Sequence, residues 1–544
     1  MGKYTMGIDF GTLSGRCVVV DCRDGRELAE AVCAYPHGVM DTQLPGGKML
    51  PAHYALQHPE DYMLVLKTAV QEAIAKAGIS PEEVAGLGID FTSCTILPVD
   101  SQGTPLCLHP EYADEPHAYV KLWKHHAAQA EADEINALAT ARGEEWLAAY
   151  GGKVSSEWVL PKVLQILREA PGVYGDTARF MEAADWVVSA LIGEEIHGNS
   201  FAGYKALYYK DDYPSNDFMT ALDGGLDGII GTKLSRKVVD VSAAAGVLCE
   251  KGAMLTGLPV GIAVAVPQID AHAAMPALQI TDAGELMLIM GTSSCHIVNS
   301  KAGDNIKGVC GWVKDGVIPG LYTYEAGQAT VGDVFDWFVK NQTPAAYKEE
   351  ADRRGISLHT LLTEKAERLA VGENGLIALD WFNGNRSVLD DSELSGLILG
   401  LTLRTKPEDI YRALLEATAF GTRMIVDTFE KNGVPIAGVK VAGGIAHKNP
   451  LLMQIYADVL NREMQVCQST QAGALGSAIY AAAAAGIYLT VREAAAAMGA
   501  PVVKRYTPSR ENHWAYQKLY EEYVLLHDYF GKGGNGVMKR LLGK

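Results

Sequence analysis

Residues 4–12 read Tyr4-Thr5-Met6-Gly7-Ile8-Asp9-Phe10-Gly11-Thr12, an apolar run closed by an aspartate and a glycine–threonine turn. The pattern returns at 285–294, where Glu285–Met290 runs into Gly291-Thr292-Ser293-Ser294. A strand ending in a small turn presents backbone N–H groups and hydroxyls to whatever lies above it, and glycine admits close approach. Such a surface suits phosphate oxygens. Either turn alone reads as an ordinary hairpin turn. The pair, one in each half of the chain, predicts a cleft that grips a nucleoside triphosphate from both sides.

Around the first turn the chain reads as strands at Tyr4–Asp9, Arg16–Asp21 and Glu27–Tyr35, the last two joined by Asp24-Gly25, a strong hairpin signal. A helix follows at Pro59–Ala77, with Gly78 just past its end, and Val84–Phe91 returns to strand. This order predicts an α/β domain with a mixed sheet. The stretch Glu115–Leu191 is mostly helical in pattern, with one apolar face on Trp158, Val159, Leu160, Val163, Leu164, Ile166 and Leu167. Pro259–Val266 reads as a turn and a buried strand, and the domain boundary is placed there, giving units 1–262 and 263–544. The second half restarts the pattern. Strand-like segments at His296–Asn299 and Gly308–Trp312 precede a long helix at Pro407–Asn432 and a strand, Gly438–Ala442, that runs into Gly443-Gly444. A duplicated fold is expected. The Gly-rich, basic end, Gly531–Lys544, is expected to be a frayed, solvated tail.

The chain has 544 residues, more than one core usually organises, so at least two domains are expected. Its formal net charge of -18 argues against nucleic-acid and acidic-membrane partners. Nine cysteines, none in a Cys-x-x-Cys pair, suggest neither a disulfide framework nor a zinc site. Reduced thiols in a cytoplasmic protein fit best. Met1–Met6 lead straight into a strand without an apolar signal core. The Ala-rich stretch near 478–491 is too short to span a bilayer.

Asp9 beside a phosphate turn would be repelled by phosphate unless a cation lay between them, so it is a candidate Mg²⁺ contact through water. Arg16 opens the paired strand, within reach of the same phosphates. Asp270, in Pro267-Gln268-Ile269-Asp270-Ala271-His272-Ala273, follows the boundary strand and can orient a substrate hydroxyl. With a reference pKa of about 4 it is ionised at neutral pH. It can accept a proton late in a loose phosphoryl-transfer transition state. Its alternative role is a helix cap. Gly443-Gly444 and Asn449 are candidates for a flat nucleotide base. Lys205 and Glu325 can hydrogen-bond a polyol, though each reads first as a solvated surface charge. No Gly-x-x-x-x-Gly-Lys-Ser/Thr motif occurs, which excludes a P-loop enzyme.

Together these pieces resemble the FGGY family of carbohydrate kinases. The Asp9–Thr12 turn, with Gly11 and Thr12, is similar to that family's first phosphate motif, and Gly291-Thr292 to its second. Val441-Ala442-Gly443-Gly444 through Gln454-Ile455-Tyr456-Ala457-Asp458 resembles its adenosine motif and C-terminal signature. Met6–Arg16, Ala118–Ala127 and Ile269–Ala273 are most similar to the branch that acts on L-ribulose, and the length suits that branch. The resemblance implies an α/β fold of two actin-like ATPase (ribonuclease H-like) domains flanking a deep cleft. The sugar-binding unit would be 1–262 and the nucleotide-binding unit 263–544. It implies ATP and Mg²⁺ as cofactors, the metal near Asp9 and Asp270, and L-ribulose or a related ketopentose as substrate. Phosphorylation would fall on O5, with Asp270 as the catalytic base. Lys205 and Glu325 would touch the sugar, with Ser93 and Cys94 of the loop Thr92–Thr95 beside it.

Two rival readings stand at this level. One is a kinase for D-ribulose, ribitol or xylulose. The other is an actin- or chaperone-like ATPase, which gives Asp270, Lys205 and Glu325 no role around a small polar pocket. The sequence leaves room for a homodimer and shows no face for one.

Overall fold

The computed structural model describes residues 3–468 and 471–541. The readings at Met1-Gly2 and at the last three residues of the tail lie outside them. Strands β1 (Tyr4–Phe10), β2 (Ser14–Asp21) and β3 (Glu27–Ala34) form an antiparallel meander. Helix α1 (Pro59–Ala77) starts on Pro59 and closes on Gly78 in the left-handed conformation. It leads to β4 (Val84–Phe91), which lies parallel to β1. The sheet is completed by β5 (Ala244–Val247), β6 (Ala263–Ala265) and β7 (Gln268–Ile269), in the order β5-β6-β4-β1-β2-β3 with β7 also on β4. Helix α2 (Asp270–Ala277) leaves directly from β7.

The second sheet repeats this plan. Strands β8 (Glu285–Met290), β9 (Ser294–Ser300), β10 (Trp312–Lys314) and β11 (Tyr322–Gln328) are antiparallel neighbours in the order β10-β11-β9-β8. After helices α3 (Gly332–Asn341) and α4 (Pro407–Lys431), β12 (Gly438–Ala442) joins parallel to β8 and β13 (Met464–Cys467) parallel to β12. Helices α5 (Ala472–Ala484) and α6 (Val491–Met498) precede the edge strand β14 (Val502–Tyr506). In both sheets a set of antiparallel strands, three in the first and four in the second, is followed by two parallel strands and an antiparallel edge, which is the expected duplication.

The two halves are not packed independently. Helix α5, late in the chain, lies across β1 and β4 of the first sheet and against α2. Three glycines allow this. A methyl on Gly7 would sit 1.7 Å from the Ala474 carbonyl oxygen, one on Gly88 1.8 Å from that of Ser477, and one on Gly476 1.7 Å from that of Ala273. The backbones therefore meet without side chains between them.

Several expectations need correction. The stretch 115–191 is not helical throughout: Val120–Lys121 and Arg179–Glu182 join Leu56–Gln57 and Ile96–Val99 in a four-stranded sheet. Runs of two and four residues are too short to carry an alternating signature. The strand near 259–266 is only Ala263–Ala265, and the segment from Gly308 becomes a strand only at Trp312, since Gly308 and Gly311 are left-handed turns. The tail is docked. Val537–Leu541 is helical, Met538 is buried, and Lys539 Nζ lies 2.6 Å from Asp391 Oδ2. No helix among the described residues is long and apolar enough to cross a membrane.

Candidate active site

Asp9 is the penultimate residue of β1. The antiparallel register sets it opposite Arg16, and the parallel register sets it opposite Asp90 of β4. The Asp9 and Asp90 carboxyls are close enough for each to shift the ionisation of the other. Two adjacent carboxylates resist double ionisation. Asp90 is fully buried, and burial followed by the charge of Asp9 pushes it well above the usual carboxylate range. Its Oδ2 accepts from Ser477 Oγ at 2.7 Å, while Oδ1 has no protein partner. Burial also raises Asp9, and the Arg16 guanidinium opposes that. Sequence reading missed Asp90, yet the signal was there. Gly7-Ile8-Asp9-Phe10 recurs as Gly88-Ile89-Asp90-Phe91, paired residue by residue, with the Phe10 and Phe91 rings stacked at 4.7 Å.

Asp270 opens α2, and its Oδ1 accepts the Ala271 amide at 2.6 Å. It is not the cap, a position held by Ile269. Burial, then the charges of Asp9 and Glu325, push its pKa up to about 7. The structure thus gathers Asp9, Asp90 and Asp270 from β1, β4 and the end of β7.

Lys205 and Glu325 are not surface charges. Both are buried, and Glu325 Oε1 accepts from Lys205 Nζ at 3.4 Å and from Arg386 Nη2 at 3.0 Å. Its Oε2 lies 3.2 Å from Nε2 of His272, itself fully buried. Burial alone would raise Glu325; Lys205, His272 and Arg386 together hold it well below the usual range. Lys205 Nζ also stands 5.4 Å above the Trp158 ring. His272 and Arg386 are the members of this cluster that sequence reading did not assign to it. Arg386 comes from a loop 61 residues beyond Glu325, so no local pattern marks it.

Ser93 and Cys94 lie on the loop after β4. Cys94 is buried with a left-handed backbone, φ +56°, uncommon for a residue with a side chain. In the first turn, Gly11 N donates to Ser14 O at 3.0 Å, and Thr12 Oγ1 accepts from Trp123 Nε1 at 3.2 Å. Arg16 Nη1 donates to Gln471 Oε1 at 2.6 Å. In the second turn Gly291 and Thr292 are exposed, and their carbonyls accept from the start of α3: Gly332 N to Gly291 O at 3.0 Å and Val331 N to Thr292 O at 2.8 Å. Gly443, φ +104°, sits so close to β8 that a methyl would lie 2.2 Å from Met290 O, whereas Gly444 faces open space. The Asn449 side chain caps the helix Pro450–Leu460 by accepting the Leu452 amide at 3.0 Å.

Gly332 was not foreseen. A methyl there would lie 2.6 Å from Gly291 O and 2.7 Å from Ile445 Cδ1. Gly332→Ala is expected to push the second turn outward. Overpacking of this kind costs about 1–3 kcal/mol, so the thermal midpoint of the variant should fall. Differential scanning calorimetry beside the wild type will check this.

The fold and the paired turns define a two-lobed phosphotransferase of actin-like ATPase type. Two family models match the chain: the FGGY family of carbohydrate kinases, N-terminal domain, over residues 4–275, and the C-terminal domain over residues 286–485. The chain belongs to the FGGY family of carbohydrate kinases, which use ATP. It is 52% identical to a protein named ribulokinase from Halalkalibacterium halodurans, covering 99% of this chain and 97% of that one. A Geobacillus thermodenitrificans protein of the same name is 51% identical over 99% and 96%. Among solved structures, a xylulose kinase of Rhodospirillum rubrum superposes with a TM-score of 0.79 at 23% identity, covering 96% of this chain and 98% of that one. Plasmodium falciparum glycerol kinase with ADP gives 0.73 at 17%, covering 96% and 97%. At those identities the structures speak for the fold alone.

Proposed function

We infer that this kinase transfers the γ-phosphoryl group of ATP to O5 of L-ribulose, giving L-ribulose 5-phosphate and ADP, the phosphorylation that serves L-arabinose catabolism. The ketopentose rests on one observation, identity of about half the residues with proteins named ribulokinase along nearly the whole chain.

In this reading the sugar sits against the Lys205–Glu325 pair and the Ser93-Cys94 loop, in the unit spanning 1–262 and the adjoining face of the second sheet. The nucleotide lies on 263–544, its phosphates between Gly11-Thr12 and Gly291-Thr292 and its base over Gly443-Gly444. Asp270 takes the O5 proton as the O5–phosphorus bond forms and the bond to the ADP oxygen breaks. The hard oxygen donors Asp9 and Asp270, with the unpartnered Oδ1 of Asp90 behind them, suit Mg²⁺. When bound, that ion would neutralise charge developing on the phosphoryl oxygens. Arg16 completes the positive side of the first turn. A cytoplasmic location belongs to the same reading and agrees with nine unpaired cysteines.

The test is a coupled ADP-release assay with MgATP across L-ribulose, D-ribulose, ribitol, L-xylulose and D-xylulose. L-Ribulose should give the highest kcat/KM. ADP release indifferent to every sugar would sink the kinase reading in favour of an ATPase.

A further inference from the structure

Lys162 is a lysine with no exposed surface, on the helix Val159–Glu169, whose other inward residues are almost all apolar. Its ammonium group donates to three backbone carbonyls: Cys94 O at 2.5 Å, Leu122 O at 3.0 Å and Lys121 O at 3.5 Å. All three ammonium donors are thereby used. The first carbonyl belongs to the left-handed residue of the sugar-facing loop. The other two belong to the segment whose next residue, Trp123, holds Thr12 of the first phosphate turn. Glu182, also buried, holds the next residue of that loop: its Oε2 accepts the Thr95 amide at 2.9 Å, while Ala183 N donates to Thr95 O at 2.7 Å. The Lys162 and Glu182 charges act on each other through space, while burial lowers the lysine and pushes the Glu182 carboxyl up to about 8.

A buried charge is costly unless paired and hydrogen-bonded, and a methionine would fill the same volume without the cost. A left-handed backbone at a residue with a Cβ persists only when its surroundings enforce it. Here the enforcing groups are two buried side chains, Lys162 on the carbonyl of Cys94 and Glu182 on the amide of Thr95.

We propose that Lys162, together with Glu182, is a positioning residue for phosphoryl transfer: it holds the loop Thr92–Thr95 in its left-handed turn as a wall of the sugar site and ties that loop to the segment Lys121–Trp123. The inference rests on the ketopentose-kinase reading above. It deepens that reading by naming what sets the shape of the sugar wall.

The experiment is steady-state kinetics of the full-length enzyme carrying Lys162→Met, alone and in a Cys94→Gly background. In the wild-type background the KM for L-ribulose should rise about tenfold, with kcat and the KM for MgATP each changing less than threefold. In the Cys94→Gly background the same substitution should raise the sugar KM by less than threefold, because glycine adopts the left-handed turn without restraint. If Lys162→Met does not fold, Lys162→Met with Glu182→Gln removes both charges while leaving an acceptor for the Thr95 amide, and the same shift is expected. Unchanged KM values, a loss of active enzyme alone, or equal penalties in both backgrounds would overturn the proposal. So would failure of both variants to fold, which would make the pair part of the core. The wild-type control separates the two readings: turnover of a different pentulose or pentitol would overturn L-ribulose alone, and the comparison would run on that sugar. Turnover of no sugar would overturn both.

Discussion

Asp270→Asn is expected to lower kcat with L-ribulose by at least a hundredfold, and up to about ten-thousandfold, the range spanned by loss of one positioned proton-transfer group. Asparagine keeps the size and one hydrogen-bond acceptor, so the Ala271 amide keeps its partner and the helix start at α2 is preserved. Under the proposed mechanism, what is lost is the ability to take the O5 proton. The sugar KM should therefore move by only a few-fold, which separates a chemical defect from a binding one. The wild-type pH profile carries a second signature. Burial and the charges of Asp9 and Glu325 hold the Asp270 pKa at about 7. The carboxylate is the active form, so kcat/KM for L-ribulose should fall about tenfold per pH unit below that value. A divalent cation at the site would favour the carboxylate and move the limb in kcat to lower pH. The residual activity of Asp270→Asn should lack this limb. A variant that keeps wild-type kcat would remove Asp270 from the chemistry.

Glu325→Ala is the second large effect. Glu325 is the only carboxylate hydrogen-bonded to both Lys205 and Arg386 among the described residues, and His272 leans on its other oxygen. Removing one member of a buried ion cluster typically costs about 3–5 kcal/mol, because the remaining charges are left unpaired. Two cations would then face each other beside the site. The expected result is a drop of several degrees or more in the thermal midpoint, together with at least a hundredfold loss of kcat/KM for L-ribulose. Glu325→Gln should fall between this variant and wild type, since its oxygen still accepts one of the donors. A stable Glu325→Ala protein with normal sugar kinetics would show the cluster to be dispensable. Differential scanning calorimetry beside the coupled assay distinguishes these outcomes.

Much of the fold was legible because its signals are local. Strand ends with glycine–threonine turns, the Pro59–Gly78 bounds of α1 and the alternation of strands and helices are written in stretches of ten to twenty residues. The repetition of that order gave the duplication that the two sheets display. The positions of Asp9, Asp270 and the two glycine–threonine turns were readable for the same reason, each sitting at a marked strand end. Lys205 and Glu325 were read as surface charges first, since burial of a charge depends on its partners, and theirs lie 120 and 61 residues apart in the chain.

The sequence by itself determined the kind of protein, a carbohydrate kinase of the FGGY family, and set Asp9 and Asp270 at strand ends. Only the tertiary structure brought Asp90 beside Asp9, through a parallel register spanning about eighty residues, and seated α5 on the first sheet through Gly7 and Gly88. It alone closed Lys162 onto Cys94 and Leu122. The physical reason is that local propensity and turn chemistry act over a few residues, whereas a buried charge is tolerated or forbidden by groups that only the packed chain brings within hydrogen-bonding distance.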